Sequence, residues 1–432
     1  MKKWHLRMGL CGVFAAGLLA CTGCGGNKEE AEVYIDDTKP ETSITLFTQN
    51  ESVSEAIEDC CKQKLAEKED QNLVLYADSA AFYADEGLSY RELLLKRFTS
   101  GKADDLYLIP AEDVLDFDSK GYIYDLSGLD CVNNLSEDAR MQSTFNGKIF
   151  SIPLSYTCFG LVWNVDMLEE YDLTVPHNLN EFWNVCETLK QNGILPYGAN
   201  MDFALTVPAM CMGLNEIYRS LEPEKLLQEL SDGKVPVSRY MEKGFAFLET
   251  MLDKGYMDAE TLLNTLPMQE EEKAFFTEGK CAFYCALYRA KTFEDYPFEI
   301  EMTPFPALND DWICVVGADQ RLAVNPESKN LEAALSIVET LGREDALDSF
   351  AAGLGKISSS KNANAPDIPE STELIDCVRQ GEQIPNQDFR IHFNMWDNVR
   401  ELGVRLCKGE SVETLMTEFD GIQQEEIAKY KN

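Results

Sequence analysis

Cys21 and Cys24, in the stretch LLACTGCGG from Leu18 to Gly26, are the first residues whose spacing can carry chemistry. A C-x-x-C pair works as a redox couple when it opens a helix behind a strand, and as half of a zinc site when a second pair exists. Neither context is present, because an apolar run precedes the pair and glycines follow it. Only three histidines occur, His5, His177 and His392, which argues against histidine metal centres and Ser-His-Asp hydrolysis. GLGKISS, Gly353 to Ser359, is no phosphate loop: Lys356 is followed by Ile357 rather than Ser or Thr, and Phe350 stands where the first glycine belongs. Neither a metal nor a cofactor is expected. Among 75 acidic residues, a pair of carboxyls at the roughly 5.5 Å or 6.5–9.5 Å separation of glycoside hydrolysis stays open on composition alone.

The residues ahead of the pair explain it better. Lys2, Lys3 and Arg7 form a basic start, and Met8 to Ala20 is an uncharged apolar run, the layout of an export signal. That run is too short to cross a bilayer core of about 30 Å, which needs about 20 residues. Leu18-Leu19-Ala20-Cys21 resembles a bacterial lipoprotein box, which implies a lipid on the cysteine and cleavage just before it. Cys21 is favoured because Leu18 supplies the large apolar side chain three residues earlier; Cys24, with Cys21 at that place, is the alternative. Residues 1–20 then read as a signal peptide, and 21–42, polar and charged, as a flexible tether. The expected location is the cell membrane, lipid-anchored and facing outward.

A chain of 432 residues with 45% hydrophobic content has material for two to three compact units. Its formal charge of −37 is the opposite of a nucleic-acid footprint and reads as a solvated surface that stays off anionic lipid. Eleven of the 14 cysteines lie from Cys60 to Cys407 without repeated spacing. An odd number argues against a disulfide framework and for small buried hydrophobes, with one bridge, Cys281 to Cys285, left open.

The elements that must position any site follow from periodicity. ITLFT after Ser43 reads as a strand, the stretch from Ser54 towards Glu69 as a helix, and NLVLY as a second strand. A helix over Tyr90–Gly101 and the strand DDLYLI, Asp104 to Ile109, continue the alternation, which favours a mostly parallel sheet with helices on both faces. Ligands of such sheets sit beyond the carboxyl ends of the strands. Gln49, Asn50 and Glu51 follow the first strand there, and Glu112 and Asp113 follow DLYLI in the same way. Between Pro176 and Gly193, Asn178 and Glu181 mark a helix start, and Phe182, Val185, Cys186 and Leu189 form its buried stripe. Further helices are expected over Asn330–Gly342, from Asn394, and from Ser411 towards Tyr430.

Taken in order, these segments resemble the extracellular solute-binding proteins of carbohydrate ABC transporters, the family that includes maltose-binding protein. The resemblance rests on Gly101 to Ser127, on FNGKIFSIPLSYTCFGLVWNVDML (Phe145 to Leu168), on AFFTEGKCAFY (Ala274 to Tyr284) and on LAVNPESKNLEAALSIVETL (Leu322 to Leu341). It implies an α/β, two-lobed periplasmic-binding-protein-like fold with a hinge, and no catalysis. Lobe one would comprise 43–153 plus 302–342, and lobe two 154–301 plus 343–432. The crossings would fall near Ile152–Leu154, Glu301 and Gly342. A monomer would capture a mono- or oligosaccharide and present it to the permease. By position, Trp396, Tyr288 and Tyr156 would be cleft aromatics, with Trp312 and Asp311 as fainter candidates, whereas Trp163 and Trp183 read as core. Leu287 and Tyr288 stand where a Gly-Pro-Trp-like turn belongs, so the particular sugar stays open, as does a peptide or polyamine.

Overall fold

Short apolar strands that alternate with amphipathic helices lead this chain to sheets covered by helices. The computed structural model describes residues 41–65, 73–267, 270–309, 311–363, 368–381 and 383–430. Cys21, Cys24 and the tether up to residue 40 lie outside the described residues. The strands are β1 (Thr42–Thr48), β2 (Leu73–Ser79), β3 (Leu106–Leu108), β4 (Thr144–Phe145), β5 (Lys148–Ile149) and β6 (Ile152–Asn164). They continue as β7 (Leu195–Gly198), β8 (Cys281–Leu287), β9 (Ile300–Thr303), β10 (Cys314–Val324), β11 (Ile357–Ser358) and β12 (Gln383–Ile384).

One curled sheet runs β2-β1-β3-β10-β6-β8-β7 through both lobes. Pairing is parallel at its ends, as expected, between β1 and its neighbours β2 and β3 and between β7 and β8. The middle is antiparallel, because β6 and β10 run in opposite directions through the join. Their ladder extends from Val315 opposite Phe159 to Leu322 opposite Ile152. Within it Gln320 has φ +48°, a left-handed backbone that costs a non-glycine residue about 1–2 kcal/mol.

Two sets of buried side chains sit on opposite faces of the sheet where β6 and β10 pair, Phe159, Leu161 and Val315 facing one and Cys158, Val162, Cys314 and Val316 the other. One gathers Trp163, Phe182, Phe247, Phe283 and Phe305; the other gathers Ile44, Ile57, Leu106, Leu322 and Leu347. Phe305 packs 5.7 Å from Phe182 and 5.5 Å from Phe247, and Ile313 and Val315 join the same core. Near the crossing expected at Glu301 the chain alternates between the two cores, Met302 in one and Phe305 in the other. Helix Glu344–Gly353 packs on helix Glu51–Leu65, where Cys60 Sγ donates to Ala346 O at 3.4 Å and Lys64 pairs with Asp345 at 2.7 Å. Farther along, β12 pairs with Cys314 and Val315 of β10.

Local signals set the helices. Asn178 Oδ1 accepts the Glu181 amide at 3.1 Å, and Phe182, Val185, Cys186 and Leu189 face inward. All eleven cysteines from Cys60 to Cys407 are free and buried. Cys281 and Cys285 are not bridged, since four residues along a strand span about 13 Å, beyond disulfide reach.

Helices Phe203–Tyr218 and Ser238–Asp253 cross closely in the second lobe because Gly244 has no side chain. A Cβ there would lie 2.2 Å from Ala209 O, a backbone atom that cannot step aside. Gly244→Ala should cost about 1–3 kcal/mol of stability, read from the urea midpoint of the soluble domain. An unchanged midpoint would contradict this packing.

Candidate functional site

Strand alternation decides what β6 shows to each side. Tyr156 and Cys158 join the core that includes Leu347, whereas Phe159 joins the core around Trp163. Thr157, between Tyr156 and Cys158, is partly open to solvent and donates from Oγ1 to Asp319 Oδ2 at 2.7 Å. Asp319 also forms an ion pair with the Lys356 ammonium. Burial opposes the charge of Asp319, but Lys356 and the Thr157 hydroxyl bring its pKa below the ordinary carboxylate value. Next along β10 but one, buried Arg321 donates from Nη1 to Gln142 O at 2.7 Å. Polar groups thus occupy the centre of strands that are apolar at both ends.

Helix Met395–Cys407 supplies a wall. Asn394 Oδ1 accepts the Asp397 amide at 3.0 Å and fixes the first turn, which carries Trp396. Its half-buried indole lies 5.1 Å from the Phe159 ring at 31°, and Nε1 donates to Asp202 Oδ1 at 3.0 Å. Phe203, the next residue after Asp202, is 5.6 Å from Phe159. Together the three rings make a ledge whose buried base is Phe159 and Phe203 and whose half-buried edge is the Trp396 indole. Desolvation raises the pKa of Asp202, opposed by the charge of Arg400 and the Trp396 hydrogen bond.

Glu112 follows β3 and Pro110. It is open to solvent, yet surrounding protein desolvates it and raises its pKa, with Asp397 adding to the rise and Arg321 and Arg91 opposing it. Two hollows flank the Asp202–Phe203 corner: one of about 210 Å³ beside Phe203, Tyr284 and Arg289, another of about 480 Å³ beside Asp202, Pro267 and Arg400.

Aromatic faces edged by carboxylates and guanidinium groups suit a molecule with apolar C–H patches and many hydroxyls. Among the described residues no group of three His, Cys, Asp or Glu is placed to hold a metal ion.

Of the expected residues, Trp396 stands on this ledge, and Glu112 is linked to it through the charge of Asp397. Asp113 is buried in an ion pair with Arg91. Tyr156 turns to the opposite face, its hydroxyl 2.6 Å from Ser136 Oγ, and Tyr288 is buried 5.6 Å from Phe293. Asn50 caps a helix, accepting the Val53 amide at 3.1 Å, while Gln49 and Glu51 are exposed beside it. Trp312 lies 4.9 Å from His177, and Asp311 lies 3.7 Å from Arg219. Thr157, Phe159, Asp202, Phe203, Arg289 and Asp319 escaped the sequence reading. For Thr157 and Phe159 the parity of the strand, opposite to that of Tyr156, was the available signal.

A family model described as bacterial extracellular solute-binding protein matches residues 90–375. The chain is 22% identical over 366 residues to the multiple sugar-binding protein of Streptococcus mutans, covering 81% of each. A family 1 extracellular solute-binding protein from Bifidobacterium longum subsp. infantis superposes with TM-score 0.74 at 18% identity, over 89% of this chain and 99% of that one. Apo RafE from Streptococcus pneumoniae superposes with TM-score 0.72 at 15% identity, over 90% and 98%; RafE has also been solved with raffinose.

Near Trp312, Glu301 has a pKa pushed up to about 7 by burial first, then by the charge and hydrogen bond of Glu373, with His177 opposing. Unfolded, this carboxyl titrates near 4.5, so between about 4.5 and 7 the native state binds more protons. Stability is then present below that window and lost as pH rises through it. Glu301→Gln should raise the urea midpoint at pH 8 and change it little at pH 4. Equal effects at both pH values would refute the assignment.

Proposed function

The chain belongs to the bacterial extracellular solute-binding proteins, and on that premise we propose that it captures a carbohydrate between its lobes for an ABC permease. Trp396 carries the reading. Its half-buried indole stands on Phe159 and is oriented by Asp202, and the charge of the next residue, Asp397, adds to the rise that burial gives the pKa of Glu112. A sugar ring offers such a ledge its C–H face and offers the carboxylates its hydroxyls. Closing the lobes would remove both from water, where an unmatched hydroxyl is costly, so polar matching would set specificity. Bending at β6 and β10 would be the hinge, and the closed, loaded shape the signal to the permease. No covalent step enters this cycle.

The sugar-binding names of the relatives agree with this chemistry. The leader completes the proposal: a lipid on Cys21, or on Cys24, would hold the protein at the outer face of the membrane, with residues 21–42 as its reach.

A thermal-shift screen of the soluble domain should find a mono- or oligosaccharide that raises the unfolding midpoint, because a ligand of the native state alone stabilises it. A response to peptides or polyamines only would sink the carbohydrate reading. Trp396→Ala should weaken sugar affinity by about ten- to hundredfold while the domain still unfolds cooperatively. Unchanged affinity would remove Trp396 from the site. Mass spectrometry of the mature amino terminus should find diacylglycerol-modified Cys21; an unmodified cysteine would end the anchor proposal.

A further inference from the structure

In a chain of net charge −37, the 210 Å³ hollow beside Phe203 has the opposite local balance. Lys273, Arg289 and Lys291 line it, against Glu272 alone. Glu272 is already committed, its carboxylate accepting a hydrogen bond from the Asn200 amide. Lys273 donates to the backbone oxygen of Glu294 at 3.0 Å and lies 4.9 Å from the Tyr296 ring centre. Lys291 is exposed at the rim.

Arg289 is the decisive group. It follows β8 directly, is half-buried, and donates from Nη1 to the Tyr288 carbonyl at 3.1 Å. Among the described residues no carboxylate forms an ion pair with it. The acidic charge that acts on Arg289 is that of Asp319, which Lys356 and Thr157 already occupy. Burial opposes the charge of Arg289, but a guanidinium has no accessible neutral form, so a half-buried cation remains with most of its five N–H donors unspent. A carboxylate is the partner that guanidinium geometry fits, through two parallel hydrogen bonds.

Phe203 joins this hollow to the ledge, since it lines the one and packs 5.6 Å from Phe159, which carries Trp396. A sugar ring lying on the ledge can direct a substituent on its edge towards Arg289. We propose that the solute is an acidic carbohydrate whose uronic or sialic acid carboxylate docks on Arg289, within the field of Lys273 and Lys291. This rests on the carbohydrate reading above and adds the ligand's charge to it.

The test is calorimetric titration of the soluble domain with matched pairs: trigalacturonate and its methyl ester, glucuronosyl-xylotriose and xylotriose, sialyllactose and lactose. At least one acidic member should bind tenfold or more tightly than its neutral partner. In Arg289→Met that ratio should fall to about one. Should the variant lose cooperative unfolding, Lys291→Met and a salt titration of the wild type replace it: both should shrink the ratio. Wild-type protein that binds neutral members as well as acidic ones, or a ratio that survives Arg289→Met or is indifferent to salt, overturns the acidic ligand and leaves the carbohydrate reading standing. Binding of no pair member in either form, with a peptide or polyamine bound instead, overturns both.

Discussion

The ladder between β6 and β10 is the constraint on which the rest of the molecule depends. Two cores are built on opposite faces of the same paired strands, so residues along β6 and β10 alternate between them. Such strands are expected to be apolar throughout, because both faces are covered. Here the middle is polar: Thr157, Asp319, Gln320 and Arg321 stand where packing alone would place valine or leucine. Each charge is matched, Asp319 by Lys356 and Thr157, Arg321 by the Gln142 carbonyl, as burial of charge requires. Gln320 adds a left-handed backbone in the same place, and strain of that kind persists only where the surroundings over-determine it.

From this joint the two walls take their chemistry. The second lobe contributes rings and a carboxylate, Trp396, Phe159, Phe203 and Asp202; the first contributes Glu112. Desolvation holds both carboxyls above their ordinary pKa values, and among the described residues neither has a direct ion pair as Asp319 does. Acids in that condition gain more from a hydroxyl that replaces disordered water than fully solvated acids do. The recess is therefore polar without being internally satisfied.

How much of this was legible depended on how local each signal is. The helix begun by Asn178 and the one begun by Asn394 could be read because a cap and a buried stripe are written within a few residues. Trp396 was found for the same reason, as it falls in the first turn of a well-marked helix. Tyr156 was assigned to the cleft, one residue from Thr157. That one-residue difference reverses the face, and nothing in an almost wholly apolar strand says which parity looks inward. Phe305 and Ile313 carry no such signal, because an apolar side chain does not specify which of two cores receives it. Arg289 gave no signal at all, since its meaning lies in the absence of a neighbouring carboxylate in space.

The unbridged thiols have a practical side. Burial lifts Cys60 to about 11 and Cys407 to about 12, so at neutral pH almost none of either is present as the reactive thiolate. The folded domain is consequently inert to alkylating reagents at these positions, and each becomes a chronometer for the opening of its own surroundings. Cys60 sits where helices Glu51–Leu65 and Glu344–Gly353 meet, and Cys407 ends the helix that carries Trp396. Their modification rates would report the breathing of the two lobes separately, without an added label.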